Sequence, residues 1–546
     1  MDRASVKPAG DARQFLLSRV RGRSITGLVL LAFAACSGGK GEPAPSGGLG
    51  RRVAAAEARA MLPSPDGAWV AWLDGCRVAR GQFLPPGTAN CDLRIAPSGG
   101  GDAKRIAGAV TTMPQGLSWS PSGATLAALA DYDYAAGSGT LVLWRDGAAR
   151  ELARDVTFHG FGAHGELGYV AAGRLHVLLP GEEAPRAIEG AEGISSFALS
   201  PVGGEGCGAD ADFVRLLARR SRAAGGQVLA VGCRLVRARP LTGVEGAVTD
   251  YGFSADGTRL AVIVDGKGGG ALRQLPSTER APGSSAGVGV QSFAFAPSGE
   301  TTAFVADATP GKQGNLYLAE PRRLPAVLAG REVGEYRWAR GSARLAWLEH
   351  YDPRVRSGML GVGGPGQARW TFGRNITDFD LAPDGKAVAF LQHTTRGGYS
   401  VDLFLASLEG AAAVPRSIAQ GVFGFGFSPD GRWLYYRTRC TRNGEGCDLE
   451  RVPASGLPKD GKPEPIAQGM KSFEFDPRDP ARLLIGYQRT DRQALDVAVW
   501  KDGKLVRVDQ VILPGSARFL GPDSKRLGYA VIDPKRAGVY VAPLPP

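Results

Sequence analysis

Histidine and methionine are scarce in this chain, five of each in 546 residues, and neither a His-x-x-x-His nor a Cys-x-x-Cys spacing occurs. Metal and dithiol sites that depend on those spacings are therefore not written into it, and no metal or cofactor is expected. Long apolar runs are missing too. The most prominent, Ile25 to Ala35, has eleven residues, where a helix crossing a bilayer core needs about 20. Acidic charge is in short supply, with 53 Asp and Glu against 65 Lys and Arg, a net charge of +12. Six Lys/Arg and two Asp/Glu fall in the first 35 residues, so +4 belongs there and +8 to the rest. That remainder is scattered through expected hairpin loops and forms no basic element of the kind that grips nucleic acid, so no nucleic-acid partner is expected.

What the chain has in quantity is glycine, 79 residues, with 37 prolines. Helix interiors tolerate neither, while turn-rich β proteins use both. Hydrophobic residues make up 43 % and charged residues 22 %, an ordinary globular balance able to build a sizeable core. Length alone suggests two to four domains.

One pattern recurs along the chain. A short strand with alternating aromatics runs into a Pro-Asp-Gly-like turn, and an apolar strand leaves it. The clearest copies are Phe425-Gly-Phe-Ser-Pro-Asp-Gly431 and Phe379-Asp-Leu-Ala-Pro-Asp-Gly385, with others at Phe293–Gly299, Tyr251–Gly257, Leu117–Gly123 and Met61–Gly67. Degenerate copies raise the number to eleven, with turns near 66, 122, 164, 202, 256, 298, 341, 384, 430, 478 and 523. A near-constant period of this length marks a repeat architecture. Proline presets the turn, Asp bonds its own backbone and Gly accepts positive φ. Val401–Leu405 supplies a third strand, and Ser417–Gly421, echoed by Pro465–Gly469, a fourth. Four strands in some 45 residues make one propeller blade.

The expected fold is therefore all-β: four-stranded antiparallel blades, about eleven of them. That exceeds the four to eight of a usual ring, so two tandem propellers are expected, 53–290 and 291–546 with five and six blades, a split near 245 into four and seven being the alternative. The repeat resembles the TolB type, the Pro-Asp relative of the WD repeat found in bacterial envelope proteins, over nearly all of residues 53–546. It departs from the WD repeat in that no Trp-Asp closes the blades, and the small α/β domain that precedes the TolB propeller has no counterpart here.

The N-terminus reads as an export signal. Arg13, Arg19, Arg21 and Arg23 precede the apolar run, which ends in Leu31-Ala-Phe-Ala-Ala-Cys36. This resembles the bacterial lipobox, with Phe33 where Leu, Val or Ile is preferred. The resemblance implies a signal over 1–36, a lipid on Cys36, and an envelope protein anchored at the outer membrane, facing the periplasm or the cell surface. A plain cleaved signal with an incidental Cys36 is the alternative. Residues 37–52, rich in Gly, Ser and Pro, read as a flexible tether.

Six further cysteines allow fifteen pairings. Sequence neighbours give Cys76–Cys91, Cys207–Cys233 and Cys440–Cys447. The first and last pairs would each tie the two strands of a hairpin and restrain its loop.

Catalytic motifs are weak. Gly283-Ser-Ser-Ala-Gly287 has the letters of a nucleophile elbow but sits in a polar loop before a strand, without the strand–turn–helix context. His159 and His164 flank one turn, Asp131 and Asp133 lack further oxygen ligands at loop spacing, and Glu349, His350 and Asp352 follow a strand end as a solvated loop. Trp144, Trp370 and Trp500, with Tyr132 and Tyr134, fall outside the repeat and are candidates for a binding face. The reading is not an enzyme but a protein-binding or scaffolding module of the cell envelope, TolB-like by resemblance, with envelope proteins and the membrane as partners. The alternative is a propeller enzyme, or a ligand or glycan binder, with its site in a central channel.

Overall fold

The computed structural model describes residues 48–544 apart from the segments 80–83, 86–87, 203–212, 267–268, 279–283, 310–311, 321–322, 395–400, 411–412, 442–445, 457–460 and 490–492. Among the described residues no α-helix occurs and the strands pair antiparallel.

The repeat turn explains itself at the atomic level. In the copy at 428–431, the Ser428 hydroxyl donates to Asp430 Oδ1 at 2.5 Å and accepts the Trp433 amide at 3.0 Å, while Asp430 accepts the Arg432 amide at 3.1 Å. Ser64 with Asp66 and Ser254 with Asp256 repeat this arrangement. Glycine closes the turn for two reasons. Gly299 has φ of +79°, and a Cβ there would stand 2.4 Å from Asp256 of the preceding turn. This turn thus rests on the one before it, as Gly123 rests on Asp66.

Five sheets have four strands in sequence order, spanning 60–111, 194–240, 248–290, 292–330 and 424–470. Three larger sheets each divide into two halves. The sheet over 335–419 is joined through the single pair Gly358–Ile376. In the sheet over 117–187, one long strand, Ala148–Phe161, ends the first half and begins the second. The last sheet is joined at Ile512–Val531, and its outermost strand is Arg51–Ala54 from the start of the described chain, paired to Gly538–Pro543. This outermost strand begins inside the stretch 37–52 that reads as a tether. The open edge of Gly538–Pro543 offers unpaired backbone groups, and the chain fills them from Arg51 on, with the Leu49 amide already bound to the Val508 carbonyl at 2.9 Å.

Packing runs without a break from each four-strand unit to the next. Where a boundary at 290/291 was expected, Ala286 and Val290 share one core with Phe293 and Phe304. At the other end of the chain, Met61, Val70 and Trp72 of the first unit pack with Leu520, Ala530 and Val541 of the last. Arg526 reinforces this closure, donating to Ser98 Oγ at 2.8 Å and to the Gly67 carbonyl at 3.1 Å.

First strands of successive units approach one another, as Ile376–Leu381 approaches Gly424–Phe427. Their free carbonyls are taken by long side chains of a neighbouring unit. Arg219 reaches the Thr249 carbonyl at 2.9 Å, Arg437 that of Lys471 at 2.8 Å, and Trp119 Nε1 that of Leu62 at 3.1 Å.

Candidate functional site

A cavity of about 330 Å³ lies where the unit 335–371 meets the unit 376–419 and is lined by His350, Asp352, Val355, Ser357, Gly358, Met359, Arg374 and Asn375. A break in strand register builds one wall. The strand Leu345–Asp352 pairs regularly with Ser357–Gly363 as far as Glu349, then shifts before Asp352. His350 takes φ of +50°, a left-handed conformation uncommon for a residue with a side chain. It is held there by two backbone bonds of 3.0 Å, from the His350 amide to Arg331 and from the Tyr351 amide to Glu332.

The shift sends neighbouring side chains to opposite sides. Glu349 turns inward, 4 % exposed, and receives Arg369 Nη2 at 2.6 and 2.8 Å. His350 turns outward, with Nδ1 3.5 Å from Glu332. Asp352 accepts the Arg354 amide at 2.8 Å and starts a loop whose tip, Val355, is 62 % exposed. The three residues grouped by sequence thus divide: His350 and Asp352 line the cavity, Glu349 is structural.

The other wall comes from the connection into the next unit. Asn375 has φ of +63° and its carbonyl accepts the His393 amide at 3.0 Å, while the Arg374 carbonyl accepts Gln392 Nε2 at 2.8 Å. Arg374 and Asn375 escaped the sequence reading because connections between blades carry no periodic signal. The residue preference was the one available hint: Asn tolerates positive φ better than most. Arg374 lines this cavity, Arg354 and Arg356 flank its lining residue Val355 in sequence, and the Arg331 carbonyl accepts the His350 amide. All four are exposed, and none forms an ion pair among the described residues. Against them stand Glu332 and Asp352, leaving a local excess of two positive charges.

The first strands of the same two units carry a second charged group. Arg337 donates to Glu335 at 3.0 Å, to Asp378 at 3.2 Å and to the Phe379 carbonyl at 2.5 Å. Burial disfavours its charge, but Glu335 and Asp378 outweigh that and its pKa is raised. These carboxylates are committed to the guanidinium, which acts as a clamp between units.

Other residues singled out by sequence disperse. The sulfurs of Cys76 and Cys91 stand 2.05 Å apart and those of Cys440 and Cys447 2.00 Å apart, each pair at the root of a hairpin loop. Cys233 is disulfide-bonded, and Cys207, like Cys36, lies outside the described residues. Ser284 to Val290 form a strand, so the Gly-x-Ser-x-Gly letters have no helix after them. His159 is buried, 3.3 Å from Ser118 Oγ, and burial pushes its pKa down to about 4. His164 is exposed, and His176 stacks on Tyr169. Tyr134 is structural, its hydroxyl bonded to the Ala89 carbonyl at 2.8 Å. Trp500 and Trp370 lie beneath Arg451 and Arg344, at 4.7 and 4.9 Å. Among the described residues, no group of three His, Cys, Asp or Glu is placed to hold a metal ion, and no helix is long and apolar enough to cross a membrane.

Successive four-stranded antiparallel sheets, packed face to face with their first strands converging, define a β-propeller. No family model matches the sequence, and no curated protein matches it. Many solved structures are similar in part. A eukaryotic initiation factor is 13 % identical, covering 76 % of this chain and 88 % of its own, with a TM-score of 0.38. An oligogalacturonate lyase in complex with manganese is 14 % identical over 54 % of this chain and 88 % of its own, TM-score 0.30. The tricorn protease is 15 % identical over 89 % of this chain and 57 % of its own, TM-score 0.23. No functional conclusion is drawn from likeness at this level.

Proposed function

We propose that the protein is a binding module of the bacterial cell envelope, held to a membrane by a lipid on Cys36, TolB-like in its repeats, and docking an acidic segment of a partner protein on the rim shared by the units 335–371 and 376–419. The observation that carries the docking face is a set of four exposed arginines without an ion pair among the described residues, Arg374 lining the cavity and Arg331, Arg354 and Arg356 next to residues that line it, in sequence or by a backbone bond. Unpaired surface charge of one sign steers and selects partners of the other. Ser357 and Asn375 add polar groups for orientation, and the exposed Val355 between Arg354 and Arg356 adds an apolar contact, the mixture common at protein interfaces.

The platform itself is read as eleven blades closed in one ring, in place of two tandem rings divided at 290. Unbroken cores from unit to unit, and the meeting of first and last units, support this. The strand Arg51–Ala54 then acts as the clasp, and a lipid on Cys36 would leave some 15 residues between the membrane and the seam, a reach on the order of 20 Å.

The test is in-cell crosslinking of the full-length protein through a photoreactive residue at Val355, with partners identified by mass spectrometry. A defined envelope protein, lost in the Arg354→Glu/Arg356→Glu/Arg374→Glu variant and weakened by Cys36→Ala, is the expected result. An identical partner set from the charge-reversed variant overturns the docking face, and a correctly exported protein with no partner at all overturns the scaffold.

A further inference from the structure

A second cavity, about 250 Å³, lies far along the chain from the arginine rim, between the first unit and the next, and is lined by Trp69, Ile95, Pro97, Asp102, Lys104, Trp144 and Gly147. Its walls are largely apolar and flat. Trp69 and Trp144 meet edge to face, with ring centres 4.7 Å apart, and Trp119 props Trp144 from another side at 5.8 Å. Such contacts hold indoles rigidly. The mouth is polar: Asp102 and Lys104 are exposed, and Lys104 Nζ reaches the Gly147 carbonyl only through a long 3.4 Å bond.

One group in the wall of this cavity has no hydrogen-bond partner. Trp144 is 2 % exposed and its Nε1–H is buried without a hydrogen-bond partner. A buried donor left unmade costs about 1–3 kcal/mol, whereas two nearby tryptophans, Trp72 and Trp119, have partners for their Nε1–H at Asp74 and the Leu62 carbonyl.

We infer that this cavity binds a neutral sugar residue. Its requirements eliminate the other simple classes. A purely apolar guest would leave the indole N–H unpaired. An anion meets Asp102 at the mouth, and a cation meets Lys104. A neutral pyranose has an apolar C–H face for the indoles and a rim of hydroxyls that both donate and accept. Asp102 accepts from one hydroxyl, Lys104 exchanges its long bond to Gly147 for another, and a sugar oxygen is the acceptor that the Trp144 N–H in the wall lacks. The volume holds one ring, so a longer glycan would be gripped by a single residue or its end.

The probe is an array of neutral hexose and N-acetylhexosamine oligosaccharides alongside acidic ones, presented to the full-length protein, with the best binder titrated by tryptophan fluorescence. A neutral oligosaccharide should bind saturably. Trp69→Ala and the exposed Asp102→Asn should each weaken it at least tenfold, and Trp144→Phe, which keeps a ring but lacks the N–H, several-fold. Arg374→Glu should leave sugar binding unchanged, which separates failure here from failure of the arginine rim. Absence of any neutral binder overturns the inference. So does binding that survives both Trp69→Ala and Asp102→Asn, or preference for a proline-rich peptide that displaces the sugar. Thermal melts of each variant distinguish lost binding from lost folding, and Asp102→Asn and Lys104→Ala, both at the surface, keep the test open if a tryptophan variant unfolds.

Discussion

The closing seam and the arginine rim use the same side chain in opposite ways. At the seam, Arg536 meets Asp509 at 2.8 and 2.7 Å, Tyr529 adds its hydroxyl at 2.9 Å, and the Asp509 side chain is fully buried. Nearby, Arg482 joins buried Asp476 at 3.3 Å and the Ser524 carbonyl at 2.7 Å. On the rim, the Arg354, Arg356 and Arg374 guanidinium groups form no ion pair among the described residues. Buried charge must be matched or the fold loses stability, whereas exposed charge costs little and remains available to a partner. An arginine's role in this protein is therefore read from what faces it, not from its abundance.

Removing the match at the seam should have the largest effect. Asp509→Ala leaves the Arg536 charge and the Tyr529 hydroxyl without their acceptor, and a loss of about 3–5 kcal/mol is expected in denaturant unfolding. A loss below about 1 kcal/mol would place the seam among ordinary surface ion pairs and dissolve the contrast.

A buried base elsewhere tests the same rule by pH. His159 accepts a proton near 6.5 in the unfolded chain but only at about 4 when folded. The unfolded chain therefore binds more protons between those values. Stability present above pH 6.5 should fall as the pH drops toward 4, by on the order of 3 kcal/mol, then level off for this group. His159→Gln should flatten that part of the melting-temperature profile, and an unchanged profile would show that His159 titrates normally.

The hairpin crosslinks come next. Cys76→Ser/Cys91→Ser opens a loop with a sequence separation of 15, and Cys440→Ser/Cys447→Ser one of 7. Chain entropy then gives losses of about 3 and about 2 kcal/mol, so the first double variant should melt lower. Equal melting temperatures would mean that the loops are ordered by packing rather than by the bonds.

The smallest effect on stability belongs to the rim. Arg354→Glu/Arg356→Glu/Arg374→Glu should move the unfolding free energy by no more than about 0.5 kcal/mol per site while abolishing partner capture. A large destabilisation would mean that these arginines are structural after all, and the comparison with the seam would fail.

The repeating parts were legible because the same local chemistry is written many times. Phe293, Phe379, Phe425 and Phe427, placed by alternation, are all buried. Ser-x-Asp-Gly turns close through side chains two residues apart, so no distant partner is needed to foresee them. The site was much less legible. His350 and Asp352 were visible as a cluster, but Glu349 was grouped with them because nothing in the sequence announces the register shift that turns it inward. Arg374 and Asn375 come from a connection whose length and residues vary from blade to blade. Trp144 stood out as irregular, but its unpartnered N–H depends on three elements meeting at once.

Composition and period by themselves determined that this chain is built of short antiparallel strands joined by Pro-Asp-Gly turns, since those choices rest on residues within a few positions of one another. Tertiary structure alone decided that Arg51–Ala54 completes the last sheet, that Met61 and Trp72 pack against Leu520 and Val541, and which arginines are matched. Those outcomes join residues hundreds of positions apart, and no local pattern records the distance at which a sheet edge finds its missing strand or a buried guanidinium its carboxylate.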